Sequence, residues 1–71
     1  MHSIYRKRSL EYLREALKEV ESASVEGRLI PSMKVQIAAH AFMEIGLLSV
    51  KEMDRWGKLV ASEFGKKRAN T

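Results

Sequence analysis

The stretch from Ile45 to Met53 constrains this chain more than any other. Ser49 is followed three residues later by Glu52, the spacing of a capping box. In that motif the Ser hydroxyl accepts from the Glu amide, and the Glu carboxylate accepts from the Ser amide. Leu48 and Met53 occupy the positions of a hydrophobic staple around the cap. Gly46 suits the left-handed residue that closes a preceding helix. Three independent devices therefore specify helix, short turn, helix. The spacing predicts an antiparallel helical hairpin over about 32–45 and 49–65.

The two arms of that hairpin differ in character. With residues about 100° apart, the first arm places Val35, Ala38, Ala39, Ala41, Phe42 and Ile45 on one broad face, expected to be the core face. Met33, Ile37 and Met43 lie outside it, among Gln36, His40 and Glu44. A helix apolar nearly all round is usually covered on more than one side. The second arm is two-faced. Val50, Met53, Trp56, Val60 and Phe64 make its apolar side, and Lys51, Arg55, Lys58, Ser62 and Lys66 run down the other. Gly57 falls in the apolar sector, where close approach of another helix would explain it.

Upstream, Leu10, Leu13, Leu17 and Val20 repeat at helical spacing opposite Glu11, Arg14, Glu15, Lys18 and Glu19. This predicts an amphipathic helix over about 9–25, with Ser3 or Ser9 as its cap. Gly27 and Pro31 punctuate the connection that follows. Leu29 and Ile30 are apolar within it and are expected to fold back onto the core. The expected fold is therefore all-α: three helices, an N-terminal helix packed on the hairpin.

Seventy-one residues make one domain, 1–71, with basic, partly disordered ends at 1–8 and 66–71. A core of this size supplies only a few kcal/mol, and small domains rely on a staple. No cysteine is present, so no disulfide is available. Association remains, which favours a homodimer. No segment has the form of a signal peptide, and His40, Glu44 and Ser49 interrupt the longest apolar run, so no membrane span is expected. A cytoplasmic protein is the default.

The net charge of +4 is unevenly placed. Arg6, Lys7 and Arg8 sit at one end and Lys58, Lys66, Lys67 and Arg68 near the other, while the middle is slightly acidic. Together with Lys51 and Arg55 they make a candidate nucleic-acid surface, since the helix after a turn is where a recognition helix lies. Glu52 and Asp54 at the entering end of that helix oppose phosphate. Phe42 also occupies the position, counting back from Gly46, where helix-turn-helix motifs carry a small residue.

Catalytic and metal chemistry find little support. His40 and Glu44 are one turn apart, but a zinc site needs three or four ligands and only His2 supplies another imidazole. No His stands near a Ser in a Gly-flanked turn, and the four glycines are scattered singly rather than gathered into a phosphate loop. No cofactor is expected. The residues left over are Met33, Ile37, His40, Met43 and Leu47, an apolar patch on the side of the middle helix away from the main core. Such a patch marks an interface, and methionine adapts to irregular partners. The expected function is therefore a small non-catalytic interaction or regulatory protein, binding a protein partner or itself through helical surface. A dimeric DNA-binding transcriptional regulator is the alternative.

Overall fold

The computed structural model describes residues 2–69, with side chains described for 4–65. Three helices form: α1 (His2–Ser22), α2 (Leu29–Glu44) and α3 (Val50–Ala69). They run up, down and up, as three contacts between distant residues require. Arg6, near the start of α1, reaches the α2–α3 turn by donating to the Leu47 carbonyl at 3.0 Å. Lys34 in α2 meets Glu19 late in α1 at 3.3 Å. Arg28, just before α2, lies 4.3 Å from the ring centroid of Phe64 late in α3. The molecule is a rod of 45 × 18 × 14 Å. In it α2 is the middle element, packed by both neighbours, while α1 and α3 touch each other far less.

The core follows from that order. Leu13, Ala16 and Val20 of α1, Val35 and Ala39 of α2, Leu48 of the turn and Val60 of α3 are buried. Leu10, Leu17, Phe42, Met43, Met53, Trp56 and Phe64 close around them, half-buried. On α1 the residues Leu10, Leu13, Leu17 and Val20 turn inward, and on α3 Met53, Trp56, Val60 and Phe64 do so. Val50, expected on the same face, is exposed because it sits at the first helical position, beyond the edge of the core. On α2 the expected face is only partly the core face: Val35 and Ala39 point in, but Ala41 and Ile45 are exposed and Met43 packs inward instead. Periodicity cannot choose a side on a helix that is apolar all round.

The turn forms as its residues dictate. Gly46 takes φ +84°. Its amide donates to the Met43 carbonyl at 3.0 Å, and the Leu47 amide donates to the Phe42 carbonyl at 2.8 Å. This is the paired bonding of a Schellman motif. Three residues after Gly46, the Ser49 amide donates to Glu52 Oε1 at 2.9 Å, and the Glu52 amide donates to Ser49 Oγ at 3.1 Å. The capping box is complete, and Leu48 and Met53 both enter the core.

Two helix starts differ from the expectation. The first helix begins at His2 rather than near 9, so Ser9 is not a cap; it is buried mid-helix and its hydroxyl donates to the Tyr5 carbonyl at 2.7 Å. The second begins at Leu29. Pro31 then falls in the first turn, where an absent amide forfeits no intrahelical bond. Leu29 and Ile30 consequently join the helix and face solvent instead of folding onto the core. The third helix extends to Ala69 rather than about 65.

The same substitution is expected to have opposite signs at two glycines. At Gly46 an added Cβ meets nothing within 4 Å, so Gly46→Ala costs only the left-handed backbone penalty, about 1–2 kcal/mol. At Gly57 an added Cβ also meets nothing within 4 Å, so no close helix approach within the chain explains that glycine. Gly57→Ala should stabilise by about 0.5–1 kcal/mol through helix propensity. Urea denaturation of the two variants beside the parent checks both.

Candidate functional site

The outward side of α2 is the most unusual surface of the molecule. Residues three and four apart share a helix face, and Ile30, Met33, Ile37, Ala41 and Ile45 follow that spacing, with Ile45 just past the helix end. They lie opposite the line of Ser32, Val35 and Ala39 that enters the core. The four large side chains are 69, 46, 63 and 69 % exposed in chain order. On one flank Tyr12 of α1 meets Phe42 edge to face, with ring centroids 6.2 Å apart. These rings, with Ile30, Met33, Ile37 and Ala38, line a shallow groove of about 540 Å³.

This surface overlaps the expected patch and corrects it. Met33 and Ile37 are on it. Met43 is not, because it packs on the core, and Leu47 is half-buried in the turn. His40 is exposed but lies toward α3, with its Nε2 3.5 Å from Glu44 Oε1. The residues overlooked are Ile30, Ala41 and Ile45. Their signal was the extension of the Met33–Ile37 spacing in both directions.

The basic residues do not converge as one surface. Arg6 Nη1 donates to Glu52 Oε1 at 3.0 Å and to the Leu47 carbonyl at 3.0 Å, while Nη2 donates to Glu52 Oε2. Arg6 is therefore committed to the fold rather than offered to phosphate. Lys58 Nζ lies 3.1 Å from Asp54 Oδ2, both exposed. Lys7, Arg8, Lys51 and Arg55 are exposed. The side chains of Lys66, Lys67 and Arg68 lie outside the described residues. Arg14, overlooked in the sequence, joins Arg6 and Arg55 around a groove between α1 and α3 whose apolar lining is Leu10, Trp56 and Leu59. Its signal was its place one heptad after Lys7.

Glu52 carries the strongest electrostatic perturbation. The Arg6 guanidinium, assisted by the Ser49 amide, holds its carboxyl down to about 2, from an ordinary 4.5. A lowered folded-state value means that the ionised form stabilises the fold. That contribution is complete above about pH 4.5 and is lost as pH falls toward 2. Glu52→Gln keeps the capping-box geometry and removes the charge. Acid titration of thermal stability should therefore be flatter between pH 4.5 and 2 in Glu52→Gln, and in Arg6→Ala, than in the parent.

Among the described residues no group of three His, Cys, Asp or Glu side chains is placed to hold a metal ion. No described helix is long and apolar enough to cross a membrane. In comparisons with known proteins, no family model matches the chain, and no curated protein or solved structure is significantly similar to it.

Proposed function

We propose that this protein is a small non-catalytic interaction module, a regulator, adaptor or inhibitor, that binds a protein partner through the outer face of α2. The observation that carries the reading is the line Ile30, Met33, Ile37, Ala41 and Ile45, aliphatic along its whole length and turned away from the core. Scattered exposed hydrophobics need no explanation, but a contiguous row does. Binding would remove that row from water, and that burial is what drives it.

A photo-crosslinking side chain placed at position 37 in the living source cell tests this. A discrete crosslinked species from position 37, absent from position 51, is expected. No crosslink from 37, or the same species from both, overturns it. Ile37→Asp should abolish binding while changing fold stability by no more than about 0.5 kcal/mol, because the residue supports no core contact. Thermal melts run beside the crosslinking check that.

A second reading, a dimeric DNA-binding regulator, is favoured by Arg14 and Arg55 facing one groove with Lys7 nearby. Anisotropy titration of mixed duplex DNA at two salt concentrations tests it. Binding that collapses as salt rises, and that weakens in Arg14→Ala combined with Arg55→Ala, supports phosphate contact. No binding at low salt removes the reading.

A further inference from the structure

The exposed row on α2 has a symmetry that selects its occupant. Its spacings leave Ile37 at the middle, Ile30 and Ile45 at the two ends, and a large Met33 and a small Ala41 at equal distances from the centre. Turned end for end, the row matches itself. Ile37 meets Ile37 of a second copy, Met33 fits over Ala41 of that copy, and Ile30 lies beside its Ile45.

The ends of α2 are complementary in charge under the same operation. Its N-terminus has no side-chain cap and no acidic residue in its first turn. Its last turn has no basic residue and carries Glu44 instead. Within one chain Glu44 opposes the helix dipole, and the N-terminus lacks the anion that would favour it. An antiparallel pair brings Glu44 of each copy to the uncapped N-terminus of the other, and both become favourable.

The area is sufficient. Covering the row together with Tyr12 on its flank removes on the order of 500–600 Å² per copy, which for two copies reaches the lower limit of specific interfaces. We propose that the partner of this face is a second copy of this chain, with the two α2 helices antiparallel about a two-fold axis beside Ile37. This rests on the interaction reading above and deepens it. An interface at the low end of the size range is typical of weak association, so a dimer in the micromolar range is expected, roughly 1–100 μM.

The absence of cysteine makes a direct test available. Single-cysteine variants are oxidised in a glutathione buffer, and sedimentation equilibrium is run on the full chain across that concentration range. Ile37→Cys should form a covalent dimer well ahead of a Lys51→Cys control. Ile30→Cys alone should not, whereas a mixture of Ile30→Cys and Ile45→Cys should join across the two sequences. Glu44→Lys improves the dipole match within its own helix, so it should fold at least as stably as the parent yet dimerise at least tenfold more weakly.

A parent that stays monomeric at about 100 μM, with Ile37→Cys no faster than the control, overturns the pairing. Ready self-linkage of Ile30→Cys overturns its antiparallel direction. If the parent is monomeric while position 37 crosslinks a different protein in the cell, the self-pairing fails and the interaction reading stands. If neither occurs, both fail.

Discussion

Leu13→Ala is expected to remove most of the stability of this protein. Leu13 is fully buried, at 0 % exposure, in the core cluster that also holds Val35, Ala39 and Val60. A buried Leu cut to Ala loses its transfer free energy and leaves a cavity, together about 2–5 kcal/mol. A single core in so short a chain supplies little more than that, and no disulfide supplements it. Neighbouring side chains have little scope to refill the gap, since Ala16 and Ala39 are already small. Urea denaturation followed by circular dichroism should show the midpoint falling toward zero denaturant. Leu59→Ala is the control: that side chain is 41 % exposed, and its loss should cost far less. Both are best measured in the Ile37→Asp background, so that association adds nothing to the apparent stability.

Arg28→Met is expected to act in the opposite direction, raising stability by about 1–2 kcal/mol. Arg28 is only 4 % exposed, and its Nε and Nη1 have no hydrogen-bond partner. Taking a guanidinium out of water costs several kcal/mol unless its donors are satisfied. The Phe64 ring below it returns at most about 2 kcal/mol. Methionine keeps the length, leaves no buried donor and places sulfur against the same ring. In a domain this small, the gain corresponds to a melting temperature roughly 4–16 °C higher. Arg28→Ala should fall below Arg28→Met, because it also gives up the packing of the side-chain stem. A lower melting temperature for Arg28→Met would mean that the charge is satisfied in the working protein, and the argument from unpaired donors would fail.

What the sequence made legible was local. Ile45 to Met53 specified their turn because each device in it spans only a few residues. Val50 read as core and is exposed, but the inner face of α1, and that of α3 from Met53 onward, were legible because polar residues mark their outer faces. The orientation of α2 was not, and it decided the candidate site. With apolar side chains on opposite sides, Ala41 and Ile45 read as core and Met43 as surface; the packing of two neighbours on one helix reversed all three. The start of α1 was equally hidden. What ties its first turns to the rest of the fold is a bond from Arg6 to Glu52, 46 positions away. Arg6 left the basic set for the same reason, since a charge committed to a distant carboxylate looks no different in sequence from one facing water.

That bond also divides the molecule by rate of opening. From Ile4 to Arg8 the side chains are exposed, and Arg6 hydrogen-bonds this segment to the α2–α3 turn and to Glu52. Backbone amides there are protected only while that junction is closed, whereas those around Leu13 and Val35 require the core itself to part. The first two turns of α1 are therefore expected to exchange as a separate unit, opening more often than the rest. With Glu52 protonated the Arg6 contact weakens, so this unit is expected to loosen in acid before the remainder of the protein does.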